Sequence, residues 1–148
     1  MRGRKGKPSV AELNELAKQF CGEESDESRA WMRLDPRDFE PFFRAGDVCL
    51  WESPVVSAAA APSWMRSAAD ELAAKAGGAA THFLLYIESS EHTLSLELVS
   101  DVVKETQSAI DMGSASFIVG YRTLESLKEG EATLLVLASV EPEPRPGT

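Results

Sequence analysis

The chain has 148 residues, 43% of them hydrophobic and 26% charged, which is enough to bury one sizeable core and too balanced for wholesale disorder. Its formal net charge is −9, from 15 basic and 24 acidic residues, and four of the bases, Arg2, Arg4, Lys5 and Lys7, stand in the first seven positions. The acidic remainder repels phosphate backbones and excludes nucleic-acid binding other than through that short arm.

Residues 1–8 read as a basic, flexible, solvated arm. No run approaches the roughly 18 apolar residues of a membrane helix, and the charged start lacks a following apolar signal-peptide core. A cytoplasmic chain without a membrane span is the expectation. Cys21 and Cys49 have no metal-type spacing, so neither a disulfide framework nor a zinc site is expected; both read as reduced thiols, Cys49 in the core.

Ser9-Val10-Ala11-Glu12 has the form of a capping box. Val10, Leu13, Leu16, Ala17 and Phe20 follow at helical spacing, predicting an amphipathic helix over residues 9–20. Residues 21–30, with Glu23, Glu24, Asp26 and Glu27, read as an acidic linker that does not pack. Leu34-Asp35-Pro36-Arg37-Asp38-Phe39 reads as a turn or helix start, with Pro36 at the first helical position if Asp35 is the cap. An extended pattern over residues 47–53 predicts a strand that Pro54 ends or edges. A small-residue loop precedes a helix opened by Pro62-Ser63, whose apolar positions run from Trp64 to Ala76 before Gly77-Gly78.

A continuous apolar run from His82 to Ile87 predicts the next strand. Ser95 caps a second long helix carrying Leu96, Leu98, Val99, Val102, Val103, Thr106 and Ile110. Phe117-Ile118-Val119-Gly120 and Ala132-Thr133-Leu134-Leu135-Val136-Leu137-Ala138, joined by a charged turn, predict a closing hairpin. The order strand, helix, strand, helix, strand, strand implies a two-layer α/β sandwich: a four-stranded mixed sheet with two helices on one face, plus the N-terminal helix. Both helices' apolar stripes then bury into one core. The proline-rich residues 141–148 form an extended tail.

From Leu34 to Ser139 the chain resembles the C-terminal domain of FtsZ, the bacterial tubulin homologue, so residues 31–140 are expected to form that domain. Leu34, Asp35 and Asp38 match the family's leucine-aspartate-phenylalanine-alanine-aspartate loop, Leu94-Ser95-Leu96 the start of its last long helix, and residues 117–139 its final strands. The resemblance implies that Asp35 and Asp38 complete the GTPase site of a neighbouring subunit in trans, and that Trp31, Leu34, Asp35, Arg37, Asp38 and Phe39 form a partner-binding patch. The reading from the residues alone is that Asp35 caps a helix and Asp38 lies in its first turn.

The departures carry equal weight. No glycine-rich phosphate loop and no Walker-type sequence occurs in the chain, which is therefore expected to bind no GTP, need no cofactor or metal, and not to be an enzyme on its own. Pro36 and Arg37 replace the family's phenylalanine and alanine, Ser89-Ser90 its glycine pair, and Gly78-Ala79-Ala80 its small-proline-leucine motif. The acidic linker interrupts the helix leading into the loop, and the terminal peptide that docks membrane tethers is missing.

His82 and His92 lack companion ligands, and Ser89, Ser90 and Ser95 lack a nucleophile-elbow context. Trp51 and Trp64 read as core. The expected function is a non-enzymatic, cell-division-associated protein that interacts with or caps FtsZ-type filaments, with a homo-oligomer as the other partner state. The alternative is a small ligand-binding or oligomeric catalytic α/β domain of convergent topology. A third reading is an adaptor that binds another protein through its first helix.

Overall fold

A computed structural model describes residues 4–6, 8–21, 28–32, 34, 36–44, 48–76, 82–109 and 116–139. The expected tail and residues 22–27 of the acidic linker, with all four of its acids, lie outside them. The strands are β1 (Arg4–Gly6), β2 (Ser28–Met32), β3 (Val48–Glu52), β4 (Val56–Ser57), β5 (His82–Ser89), β6 (Ser116–Leu124) and β7 (Glu131–Ser139). The helices are α1 (Val10–Cys21), α2 (Glu40–Arg44), α3 (Ala61–Ala76) and α4 (Leu96–Ala109), with 3₁₀ turns at Pro36–Phe39 and Ala58–Ala60.

All seven strands join one mixed sheet in the order β1-β3-β7-β5-β6-β2, with β4 pairing the start of β7. The order β3, α3, β5, α4, β6, β7 is the one the hydrophobic periodicity implies, and α3 and α4 lie on one face as expected. Met65, Ala68, Ala69 and Leu72 of α3 and Leu98, Val99 and Val102 of α4 pack there on Trp51, Phe83, Leu85, Ile87, Leu134, Val136 and Ala138. Cys49 is half-buried against this cluster rather than enclosed in it.

The expected closing hairpin is not one. β5 lies between β6 and β7, parallel to β6 and antiparallel to β7. Phe83 to Ile87 are all buried, so this strand needs cover on both faces and neighbours at both edges, and takes the centre. The connection from Leu124 to Glu131 spans two strand spacings, about 9.5 Å, within reach of the six residues between.

The opposite face carries a second apolar cluster, which the expectation of a single core omits. Leu13 and Leu16 of α1, Leu34, Phe39 and Phe42 pack on Val48, Leu50, Leu84, Tyr86, Leu135 and Leu137. The alternation of side chains along each strand divides these residues cleanly from the first set. Val10, placed on α1's apolar face by spacing, is 63% exposed instead.

Two segments expected to be unpacked contribute strands. Arg4–Gly6 of the basic arm pairs antiparallel with β3, and Ser28 to Ala30 of the acidic linker begin β2, which pairs with β6. Backbone pairing does not depend on apolar side chains, so composition alone misreads such short edges.

The start of α1 is built as its sequence implies. Ser9 Oγ accepts from the Glu12 amide at 3.1 Å and Glu12 Oε1 accepts from the Ser9 amide at 3.3 Å. Likewise Ser95 Oγ accepts from the Leu98 amide at 3.1 Å and caps α4. Where Pro54 interrupts the β3 edge, Ser53 substitutes for the ladder: its amide donates to Leu134 O and its hydroxyl accepts from the Leu134 amide, both at 2.8 Å.

Candidate functional site

The 3₁₀ turn Pro36–Phe39 is held at both ends. Leu34 is 4% exposed and Phe39 0% exposed, both in the α1 face cluster. Their assignment to a partner-binding patch is therefore corrected: an apolar pair flanking a tight turn gains more by burial under α1 than at the surface, about 1.5–3 kcal/mol each. Between them Arg37 is exposed and Asp38 half-buried. Asp35 and the Trp31 side chain lie outside the described residues. The turn runs into α2, whose Phe42 faces the cluster while Phe43 is 38% exposed.

Gly120 makes the seat for Leu34. A Cβ placed on it would stand 2.9 Å from Leu34 Cδ2 and 2.7 Å from Tyr86 Cε1, closer than real contacts allow. The strand's lack of a side chain here lets the loop's leucine and the Tyr86 ring meet over the backbone.

Two residues along the same strand face, the chemistry changes. Glu88 stands opposite Arg122 on one side and Thr133 on the other. Arg122 Nε and Nη2 reach Glu88 Oε2 at 2.7 and 2.6 Å, and Thr133 Oγ1 donates to Glu88 Oε1 at 3.1 Å. The side chains of Arg122 and Glu88 are only 13% and 12% exposed. Arg122 Nη1 also donates to Gln19 O at 3.1 Å, in the last turn of α1, where a cation is favoured by the helix dipole. Its guanidinium lies 5.6 Å from the centre of the Tyr86 ring.

Arg122 thus joins the sheet, Tyr86 and the end of the N-terminal helix. Sequence reasoning missed it. The signal was present, because Glu88 and Arg122 are charges inside or beside otherwise apolar strand runs, yet only the parallel register puts them side by side.

The remaining polar candidates are tied into the frame. Ser89 Oγ donates to Glu131 O at 2.7 Å, and Ser90 Oγ to Thr93 Oγ1 at 2.8 Å. Thr93 Oγ1 accepts from the Gly130 amide at 2.6 Å, where Gly130 turns with φ 84°. His92 is exposed in the following turn. His82, at the other end of β5, meets the Phe42 ring edge-on at 6.5 Å, and its Nδ1 is buried without a hydrogen-bond partner. Among the described residues no group of His, Cys, Asp and Glu is arranged to hold a metal, and no helix is long and apolar enough to cross a membrane.

No family model and no curated protein matches the sequence. Among solved structures, an empty FtsZ dimer from M. jannaschii superposes with a TM-score of 0.52 at 20% identity, over 75% of this chain and 32% of that one. A mutant FtsZ from the same organism gives 0.38 at 29% identity, over 42% and 18%. Thiamine monophosphate kinase from Aquifex aeolicus gives 0.37 at 13% identity, over 89% and 44%. The chain spans about a third or less of the length of these FtsZ chains, and over three quarters of its own length it has an FtsZ-like fold.

Proposed function

We propose that the protein docks on FtsZ-type filaments through the turn at Pro36–Phe39 and limits subunit addition, acting in the cytoplasm on the cell-division apparatus without hydrolysing GTP itself. The observation that carries this reading is the mounting of that turn on an FtsZ-like fold: Leu34 and Phe39 are buried on either side of it while Arg37 is exposed and Asp38 half-buried between them. A head-to-tail polymer needs two complementary faces. A chain that offers its loop-bearing face to a filament end competes there with the next subunit and limits growth.

The test is sedimentation and light scattering of FtsZ with GTP, with and without substoichiometric amounts of this protein. Polymer mass or length should fall, and the double variant R37E/D38K should lose the effect while keeping its fold. Unchanged polymer mass, length and turnover would sink the proposal. A GTPase assay on the protein alone checks the non-enzymatic part, with no phosphate release expected.

A further inference from the structure

The chain reaches the Pro36–Phe39 turn by a detour, and one residue of β6 meets that detour twice. From α1 the chain runs out to β2, where Ala30 stands opposite Arg122. The register shifts between Ala30 and Met32, an irregularity that bends a strand, and Leu34 then sits back over the sheet at Gly120. The side chain of the same Arg122 binds the other leg, because its Nη1 donates to Gln19 O at 3.1 Å. Gln19 lies in the last turn of α1, where carbonyls lack a donor from their own helix.

The guanidinium is fixed before it reaches α1. Its Nε and Nη2 are held by Glu88 Oε2, whose other oxygen accepts from Thr133 Oγ1, and it lies over the Tyr86 ring. That ring and Leu34 Cδ2 share the space above Gly120. α1 lies against the turn, with its Leu13 and Leu16 in one apolar cluster with Leu34 and Phe39. Both supports of the turn, the helix beside it and the seat of the leucine before it, therefore converge on one side chain.

We propose that Arg122 is the positioning residue of the Pro36–Phe39 turn: it ties the end of α1 to the strand that seats Leu34, and so holds the turn in the orientation it presents. The consequence for filaments rests on the docking function proposed for that turn. A single rigid plane must reach Glu88 and Gln19 O together, which suits arginine. Lysine keeps a charge opposite Glu88 but has one nitrogen and loses the tie to α1. If Arg122 served only to neutralise Glu88, lysine would serve as well.

The test is Arg122→Lys in the full chain, with Ser9→Ala, which loosens α1 from its other end, as the control. The methyl resonances of Leu34, beside the Tyr86 ring, report the seat of the turn, and those of Leu85 and Leu134, on the opposite face of the sheet, report the rest of the fold. Arg122→Lys should move the Leu34 methyl signals and the Arg37 to Phe39 amide signals toward their unstructured positions while Leu85 and Leu134 keep theirs. Ser9→Ala should leave all of them in place. Titrated into FtsZ with GTP, the lysine variant should be needed at about tenfold higher concentration than wild type for the same loss of polymer, the equivalent of one hydrogen bond to a charged group. Unmoved Leu34 signals in folded Arg122→Lys, equal displacement of Leu34, Leu85 and Leu134, the same displacement in Ser9→Ala, or displaced Leu34 signals with the wild-type effect on polymer retained would overturn the proposal. A wild-type chain without effect on FtsZ, with Leu34 displaced in the variant, upholds the positioning role and removes the docking function alone. Should Arg122→Lys not fold, Arg122→Met combined with Glu88→Leu, which also cuts the bond to Gln19 O, is judged by the same signals.

Discussion

At Gly120 the space for a side chain is already filled by Leu34 and the Tyr86 ring. Gly120→Ala should cost about 1–3 kcal/mol, read as a lower urea midpoint at unchanged slope, because either the ring or the leucine must give way. Arg122 presents the opposite problem, a charge enclosed beside its partner. Arg122→Ala leaves the Glu88 carboxylate in place without its cation and should cost about 3 kcal/mol, whereas Arg122→Met combined with Glu88→Leu should cost less than the single change. Equilibrium urea unfolding of both variants checks the ordering; a double variant less stable than Arg122→Ala would overturn it. Neither residue stood out in the sequence for its real role. Gly120 lay within a recognised strand, but a close approach from Leu34, 86 positions earlier, has no local trace. Leu34 and Phe39 were legible as special, yet as contacts for a partner, since a leucine and a phenylalanine bracketing a charged turn look alike whether they face solvent or a core.

Secondary elements with long periodic stretches were legible because burial on one side imposes its own repeat. α3 and α4 show it, and so does the unbroken apolar run of β5. Neighbourhood was not legible: β6 and β7 are consecutive, and only the demand of β5 for two flanking strands separates them. α1 illustrates the same limit, because Leu13 and Leu16 announce a buried face without naming the surface that buries it. Two changes test elements apart. Ser9→Ala should weaken the capping box by about 1 kcal/mol, raising hydrogen exchange in α1 while β5 is unaffected. Ser53→Ala removes the acceptor of the Leu134 amide, a buried donor, and should lower global stability by about 1–3 kcal/mol. Exchange in β7 rising together with that of β5 is the expected signature, and a change confined to Pro54 and its neighbours would contradict it.

For the whole molecule, the sheet divides two apolar layers, one under α3 and α4 and the other under α1 and α2. Native-state hydrogen exchange should accordingly rank β5 slowest, with α1 opening at lower cost, since α1 is anchored by two leucines and the Arg122 bond to Gln19 O. Arg122→Ala should bring α1 exchange forward without accelerating β5 beyond the change in global stability. The place of β7 has a consequence for how the chain is made. Among the described strands it alone joins β3 and its partner β1 to the β5-β6-β2 half, yet it is the last of them to be synthesised. Before β7 is made, no ladder can join the strands on its two sides. Completing the sheet requires the final strand to pair down the middle, a non-local step. Until it pairs, β3 and β5 each lack the neighbour that the finished sheet gives them.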